Sequence, residues 1–275
     1  MQQNHGPMPQ DRASWTQGVC VYPEERQQAI AQLVGQRGRL SVATTAEQFG
    51  VTTETVRRDL AVLERAGMLR RVHGGAVPVN AVALVELGLG ERTGRLAEQK
   101  NKIAAAALEY LPGTNGSIIL DGGTTTAALA ELLPTDRRLL TVTNAVPIAA
   151  RLATAPGISV HMLGGRVRGV TQCAVGEAAV RTLGNLRVDV AFMGTNGITT
   201  SYGFTTPDEE EALVKRSMVS AGQRVVVLAD SSKLERETLV RFAAPEDVDV
   251  LITDEGADPD VLTALEKAGL EVVVA

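Results

Sequence analysis

Asp121-Gly122-Gly123-Thr124-Thr125-Thr126 is the part of the chain whose residue types and spacing most clearly suit chemistry. It follows the apolar run Ile118-Ile119-Leu120 and precedes a helical run from Ala127 to Leu133. Glycines let a backbone approach a ligand closely, and the free amides and dipole at a helix start favour an anion. Three hydroxyls add donors, so a phosphate suits the loop; a tight turn capped by threonine is the competing reading. No lysine follows the threonines, which excludes a Walker loop, and the glycines are not spaced as GxGxxG. Other polar loops close other apolar runs: Thr143-Asn144, Gly164-Gly165-Arg166, Gly194-Thr195-Asn196-Gly197 and Asp230-Ser231-Ser232-Lys233. Lys233 would balance the charge of a phosphate, with Arg166 as the weaker alternative. Glu211 and Lys215 stand four residues apart, a spacing that also fits a plain ion pair on a helix surface.

A second group is basic: Arg57 and Arg58, then Arg70, Arg71 and His73. Arginine gives two parallel hydrogen bonds to guanine, about 1–3 kcal/mol of base discrimination. Residues around a hairpin turn meet phosphates instead. Two exposed arginines on a helix also fit an ordinary solvated face.

The elements that must hold these groups follow from spacing. A first helix begins after Tyr22-Pro23, carries Ile30, Leu33 and Val34 as its stripe, and ends at Gly38. A second spans about Ala43 to Phe49 and stops at Gly50-Val51. Thr52 caps a third, with Val56, Leu60 and Leu63 inward and Gly67 at its close. Thr53, Arg57 and Arg58 then lie off that stripe, in a helix-turn-helix followed by a short hairpin, or wing, over MLRRVHGGAV. Asp59 reads as structural, since a carboxylate facing phosphate would be repelled. From Glu98 onward β-rich runs alternate with helical stretches. The runs are Ile118 to Leu120, Leu139 to Thr143, Ser159 to Leu163, Val188 to Met193, Val225 to Leu228, Val248 to Thr253 and Glu271 to Val274. Such alternation predicts an α/β fold with a mostly parallel sheet, whose ligands bind outside the carboxyl ends of the strands. The expected layout is a flexible tail over 1–21, a winged helix-turn-helix over 22–79, a linker over 80–97 and an α/β domain over 98–275.

Hydrophobic residues at 44% and charged residues at 21% match a soluble globular chain and exclude disorder throughout, collagen-like repeats and a disulfide scaffold. The longest apolar stretches fall far short of the roughly 18 residues of a membrane helix, and the N-terminus has no apolar signal core. A cytoplasmic protein without membrane contact is expected. Cys20 and Cys173 are too few for a zinc cluster and read as ordinary thiols; no metal and no cofactor is expected. The net charge of −5 hides a split: residues 22–80 hold eight arginines against six acidic residues, while 81–275 are acidic. A local basic face suffices for DNA.

The string VTTETVRRDLAVLERAGMLRRVHGGA resembles the winged helix-turn-helix of the DeoR family of bacterial transcriptional regulators. Val51, Thr52, Thr55, Val56, Arg57, Arg58, Asp59 and Leu60, then His73 to Ala76, carry the likeness. Thr52 stands where serine is usual, and Thr45 where helix two normally carries leucine. From about Gln99-Lys100 to Asp254 the chain resembles the sensor domain of that family, on Ile118 to Thr126, Thr143-Asn144, Leu163 to Gly165, Phe192 to Ile198, Gly203 to Pro207, Glu211-Ala212, Lys215 and Asp230 to Lys233. Gln99 replaces a common glutamate. The resemblance implies a domain related to ribose-5-phosphate isomerase and glucosamine-6-phosphate deaminase. It implies a phosphorylated sugar or sugar derivative as effector, double-stranded operator DNA as partner, and a repressor of carbohydrate genes working as a dimer or tetramer. On that reading Thr53, Thr55, Arg57, Arg58, Arg70, Arg71 and His73 face DNA. Asp121, Gly123, Thr124, Thr125, Thr126, Asn144, Gly165, Asn196, Glu211 and Lys233 surround the effector.

An enzyme is the rival. The related isomerases carry roughly aspartate-glycine-alanine-aspartate where this chain has Met193-Gly194-Thr195-Asn196, and the deaminases carry aspartate-glycine-histidine against Asn196-Gly197-Ile198. An amide keeps the shape of a carboxylate but takes no proton at neutral pH. Asp121, Asp208 and Glu211 stay open as stand-in bases, and a non-enzyme is expected. A bare DNA binder has no use for a second domain of this size.

Overall fold

Helix capping and one apolar stripe per helix build the N-terminal part. The computed structural model describes residues 23–37, 40–72, 74–78 and 88–275, which divide between Val79 and Asn80 into two compact units. In the first, α1 (Pro23–Arg37) buries Ile30 and Val34. β1 (Leu40–Ser41) leads into α2 (Val42–Phe49). The Thr52 hydroxyl accepts the Thr55 amide at 3.2 Å and so caps α3 (Thr53–Arg65), whose Val56, Leu60 and Leu63 are buried. β2 (Leu69–Val72) and β3 (Gly75–Pro78) form the antiparallel wing, and β1 pairs with the far side of β3. Thr45 keeps α2 packed without the usual leucine: it is 2% exposed and its hydroxyl donates to the Ser41 carbonyl at 2.6 Å. Asp59 is buried and accepts from Arg26 Nε at 2.6 Å and Gln27 Nε2 at 2.9 Å, which joins α3 to α1. The expectations for the tail, for Cys20 and for Gly38 and His73 lie outside the described residues.

The second unit runs α4 (Leu89–Thr93), α5 (Ala97–Ala107), β4 (Gly116–Leu120), α6 (Thr124–Leu132), β5 (Leu139–Thr143), α7 (Val146–Leu152), β6 (Ile158–Met162), β7 (Arg166–Arg168), β8 (Cys173–Val175), α8 (Glu177–Leu183), β9 (Val188–Gly194), β10 (Gly197–Thr199), β11 (Gly203–Thr206), α9 (Glu209–Ala221), β12 (Gly222–Leu228), β13 (Val240–Ala243), β14 (Val250–Thr253), α10 (Pro259–Lys267) and β15 (Glu271–Val274). The seven β-rich runs become one seven-stranded sheet in the order β15-β14-β12-β9-β4-β5-β6, and every pairing in it is parallel. Alternate side chains serve opposite layers. Ile118, Leu120 and Phe192 pack with α5, α6 and α7; Ile119, Ala191 and Met193 pack with α8, α9 and α10. Apolar residues on both faces explain why these strands read as continuous runs.

From β4 the chain moves outward to β5 and β6, whereas β9, β12, β14 and β15 fill the other side. The direction of winding therefore switches between β4 and β9, and open α/β sheets bind ligands outside the carboxyl ends of the strands at such a point. Two pieces differ from expectation. The β7–β8 hairpin and the small antiparallel sheet β10-β11-β13 fall where loops were expected. Their strands are three or four residues long and partly polar, too short to show a period. Part of the expected linker is helical, as α4. Among the described residues no helix is long and apolar enough to cross a membrane.

Replacing Asp59 with alanine strands a buried guanidinium. Denaturant unfolding is expected to show a loss of about 3–5 kcal/mol; a loss below about 0.5 kcal/mol would mean that the pair does not hold α1 to α3.

Candidate functional site

A buried ion pair sits at the carboxyl ends of β4 and β9. Asp121 ends β4, where its amide donates to the Phe192 carbonyl at 3.0 Å and its Oδ2 accepts the Gly194 amide at 2.9 Å. The same oxygen meets the Lys215 ammonium, which also donates to the Gly194 carbonyl at 3.0 Å and lies 5.2 Å from the centre of the Phe242 ring. Both side chains are buried, so β4, β9 and α9 are clamped at one point. Of the two readings open for Glu211 and Lys215, the plain surface ion pair is thereby excluded. Their spacing does put them on one face of α9, but that face turns inward, and each finds a different partner.

Glu211 is the centre of a second network. It accepts from Arg168 Nη1 at 2.6 Å and from the Thr171 hydroxyl, with the Thr206 hydroxyl at 3.4 Å. Arg168 Nε stands 3.3 Å from Asp208, which caps α9 by accepting the Glu211 amide at 2.9 Å. The Thr206 hydroxyl also reaches Asn196 Oδ1 at 3.3 Å. The β7–β8 hairpin is thus tied across α9, with Arg166 to Glu210 as an outer tie. Gly165 serves this hairpin: at φ 142 it lies against the Val175 carbonyl, where a Cβ would overlap the oxygen.

The phosphate-type loop keeps its expected geometry in part. Thr124, Thr125 and Thr126 form the first turn of α6 behind Gly123. Thr126 is fully buried and its hydroxyl donates to the Gly123 carbonyl at 3.0 Å, so it shapes the turn; Thr124 is partly exposed. Gly122 lies on Cys173, and a Cβ there would overlap the sulfur. Burial pushes the Cys173 thiol up to about 12, and the charges of Asp121 and Glu211 push in the same direction, so it is no nucleophile at neutral pH. Asn144, just after β5, donates from Nδ2 to the Ala174 carbonyl at 3.2 Å, while its buried Oδ1 has no partner among the described residues. An unmatched buried acceptor is costly unless something donates to it.

Lys233 sits in a single 3-10 turn after β12, with Nζ 3.3 Å from Ser232 Oγ and 3.9 Å from Asp230. Burial lowers its pKa to about 8; Asp230 offsets this, and Arg236, Arg92 and Lys100 lower it further. The loops expected to hold an effector therefore share one sheet edge. Lys215, Arg168, Thr171 and Lys100 join them from outside the expected set. Arg168 and Thr171 carried no signal, because their hairpin has no period. Lys215 was visible as one half of an i, i+4 pair and as one of the positions carrying the family resemblance.

In the first unit Thr53, Arg57 and Arg58 are exposed on α3. Arg57 and Arg58 share Glu54, at 3.8 and 3.5 Å. The Thr55 hydroxyl is 2.9 Å from that of Thr52 and takes part in the cap. Arg71 donates to Glu64 from its amide at 2.9 Å and from Nε at 2.6 Å, which holds the wing to α3 and keeps the Glu64 carboxyl below its usual range. The expectation for the Arg70 side chain lies outside the described residues.

A winged helix-turn-helix joined to a parallel α/β unit with polar carboxyl-edge loops defines a class: regulators that couple DNA binding to a sensor. Residues 26–82 match the DeoR-like helix-turn-helix domain and residues 95–255 the DeoR C terminal sensor domain. The chain belongs to the DeoR family and is a DNA-binding transcriptional regulator. It is 38% identical to the HTH-type transcriptional regulator GlpR of Haloferax volcanii, over 92% of this chain and 98% of that one. It is 34% identical to the putative aga operon transcriptional repressor of Escherichia coli O157:H7, over 91% and 93%. It is 31% identical to the transcriptional repressor GlcR of Bacillus subtilis, over 92% and 97%. Among solved structures, ribose 5-phosphate isomerase A of Methanocaldococcus jannaschii aligns at a TM-score of 0.38 and 16% identity, over 51% of this chain and 56% of that one.

Gly122→Ala is expected to cost about 1–3 kcal/mol by overpacking against Cys173. Adding Cys173→Ala should restore most of it in thermal unfolding, since the sulfur is the overlapping atom. A single variant as stable as the parent, or a double variant with no recovery, would contradict the close approach.

Proposed function

We propose that this regulator represses genes of carbohydrate metabolism and changes its hold on operator DNA when a phosphorylated sugar binds at the carboxyl edge of the sheet. Residues 22–79 bind DNA, 98–275 sense the effector, 80–97 join them, and the protein works in the cytoplasm as a dimer or tetramer. Thr53, Arg57 and Arg58 read or clamp the major groove, and the wing meets phosphates. Gly123 to Thr125 and Lys233 hold the effector phosphate. Asn144 and Asn196 face the sugar, and Asp121 and Glu211 shape the site through their ion pairs.

The observation that carries this reading is the charge around Lys233. A partly buried ammonium that feels Arg92, Arg236 and Lys100, with Asp230 as its close carboxylate, gains from an anion. The names of GlcR and the aga repressor support repression. The absence of turnover rests on the two networks: Asp121 is engaged by Lys215 and Glu211 by Arg168, so taking a substrate proton would break an ion pair at either position. Asp208 is engaged as a helix cap.

Operator affinity, measured across salt concentrations with and without a panel of sugar phosphates, tests the whole reading. At least one compound must shift the affinity, by a factor that operator DNA returns to the compound. If none does, the sensor claim fails. Arg57→Ala should abolish operator binding with effector affinity unchanged, and Lys233→Ala should weaken the effector response with operator affinity intact. Loss of both functions in either variant would contradict the division of labour. The anion needs Lys233 charged, so effector affinity should hold below pH 8 and fall as pH rises through about 8. The free fold responds with the opposite sign: the lysine's pKa is lower folded than unfolded, so raising pH over that window adds stability. An effector affinity flat from pH 7 to about 9.5, some way past the lysine's pKa, would remove Lys233 from the site.

A further inference from the structure

Lys100 lies in the first turns of α5, 6% exposed, and spends two of its three donors on backbone: Nζ donates to the Arg92 carbonyl at 2.5 Å and the Arg95 carbonyl at 2.6 Å. These carbonyls belong to segment 88–96, which holds α4 and leads in sequence back to the DNA-binding unit. Among the described residues no carboxylate forms an ion pair with Lys100. Burial lowers its pKa, Asp230 offsets this from further off, and Arg92 and Arg95 add repulsion. Arg92 and Lys100 also act on Lys233, so the two lysines share one electrostatic field.

The joint between α4 and α5 is strained. Leu96 has φ 52 and ψ 40, a left-handed conformation that its Cβ disfavours, and no glycine relieves it. Its carbonyl accepts the Lys100 amide at 3.0 Å. At its other end the segment is held by the Leu89 amide, which donates to the Val170 carbonyl at 3.0 Å. Val170 stands in the turn of the hairpin that brings Arg168 and Thr171 to Glu211. Two connections from the sheet edge thus converge on one short segment that carries built-in strain.

We propose that Lys100 and the strained turn at Leu96 form the latch by which an anion at the carboxyl edge controls segment 88–96. The latch rests on the effector reading above and adds how the site is read out. Without an anion, repulsion around Lys100 and strain at Leu96 favour release of α4, and the two carbonyl bonds oppose it. A phosphate beside Lys233 offsets the repulsion and strengthens the ammonium's hold on both carbonyls. The docked state gains, and the segment transmits the change.

Hydrogen–deuterium exchange on the full chain, in inorganic phosphate against chloride of equal ionic strength, tests the latch. In the wild type, phosphate should slow exchange at least about fivefold in peptides covering both 121–126 and 88–97, the low end of ordinary coupling. Leu96→Gly removes the strain without touching the anion's surroundings. Its 88–97 peptide should exchange slowly in both buffers, while 121–126 still responds to phosphate. Lys100→Met should leave 88–97 fast in both buffers. Protection of 121–126 alone in the wild type would overturn the latch and spare the pocket, as would a Leu96→Gly protein whose 88–97 peptide still depends on phosphate. No protection at either peptide would remove the effector reading and the latch together. Should Lys100→Met fail to fold, the Leu96→Gly result decides.

Discussion

Lys215 and Asp121 meet where the sheet changes its direction of winding, and the rest of the sensor unit is arranged around that contact. Taking two charges out of water is expensive and is repaid only when the remaining donors and acceptors are matched. Here the backbone of Gly194 matches both: its amide meets the carboxylate and its carbonyl meets the ammonium. The pair therefore fixes the ends of β4 and β9 against α9, and the loop that starts α6 departs from that fixed point. Buried ion pairs contribute little net stability, so this one is better understood as fixing geometry: it forces one placement of Gly122 and Gly123 under the first turn of α6.

The Lys215–Asp121 pair and the Arg168–Glu211 network anchor the carboxyl edge of the sheet. They hold polar groups there and engage both carboxylates in ion pairs. The hairpin that supplies Arg168 also reaches the segment leading toward the DNA-binding unit, through the Val170 carbonyl. The carboxyl-edge networks and the segment that precedes α5 thus belong to one connected set of contacts.

Much of this was legible in the residues. Seven apolar runs became seven strands because a parallel sheet covered on both faces needs apolar residues throughout. The Thr52 cap and the stripe of Val56, Leu60 and Leu63 gave α3, and the sign of its charge marked Asp59 as structural. The DeoR resemblance located both halves. The illegible parts share a physical cause. Strands of three residues such as β7 and β8 have no period to detect, so Arg168 and Thr171 stayed hidden. An i, i+4 pair declares a shared helix face but not which way the face turns, so the spacing of Glu211 and Lys215 left open whether they lie outside or inside, and they lie inside. Thr55 and Gly165, assigned to ligands by their position in a motif, also have local roles in a cap and in a hairpin that the motif did not reveal.

The claim on which the account depends is that the carboxyl edge at β4 and β9 accepts a phosphorylated sugar. A crystal structure of the protein soaked with such compounds tests it most directly. The account predicts the phosphate against the backbone of Gly123 and Thr124 and near Lys233, with the sugar toward Asn144 and Asn196. A carboxyl edge filled by the protein's own side chains, with the compound absent or bound elsewhere, would contradict it.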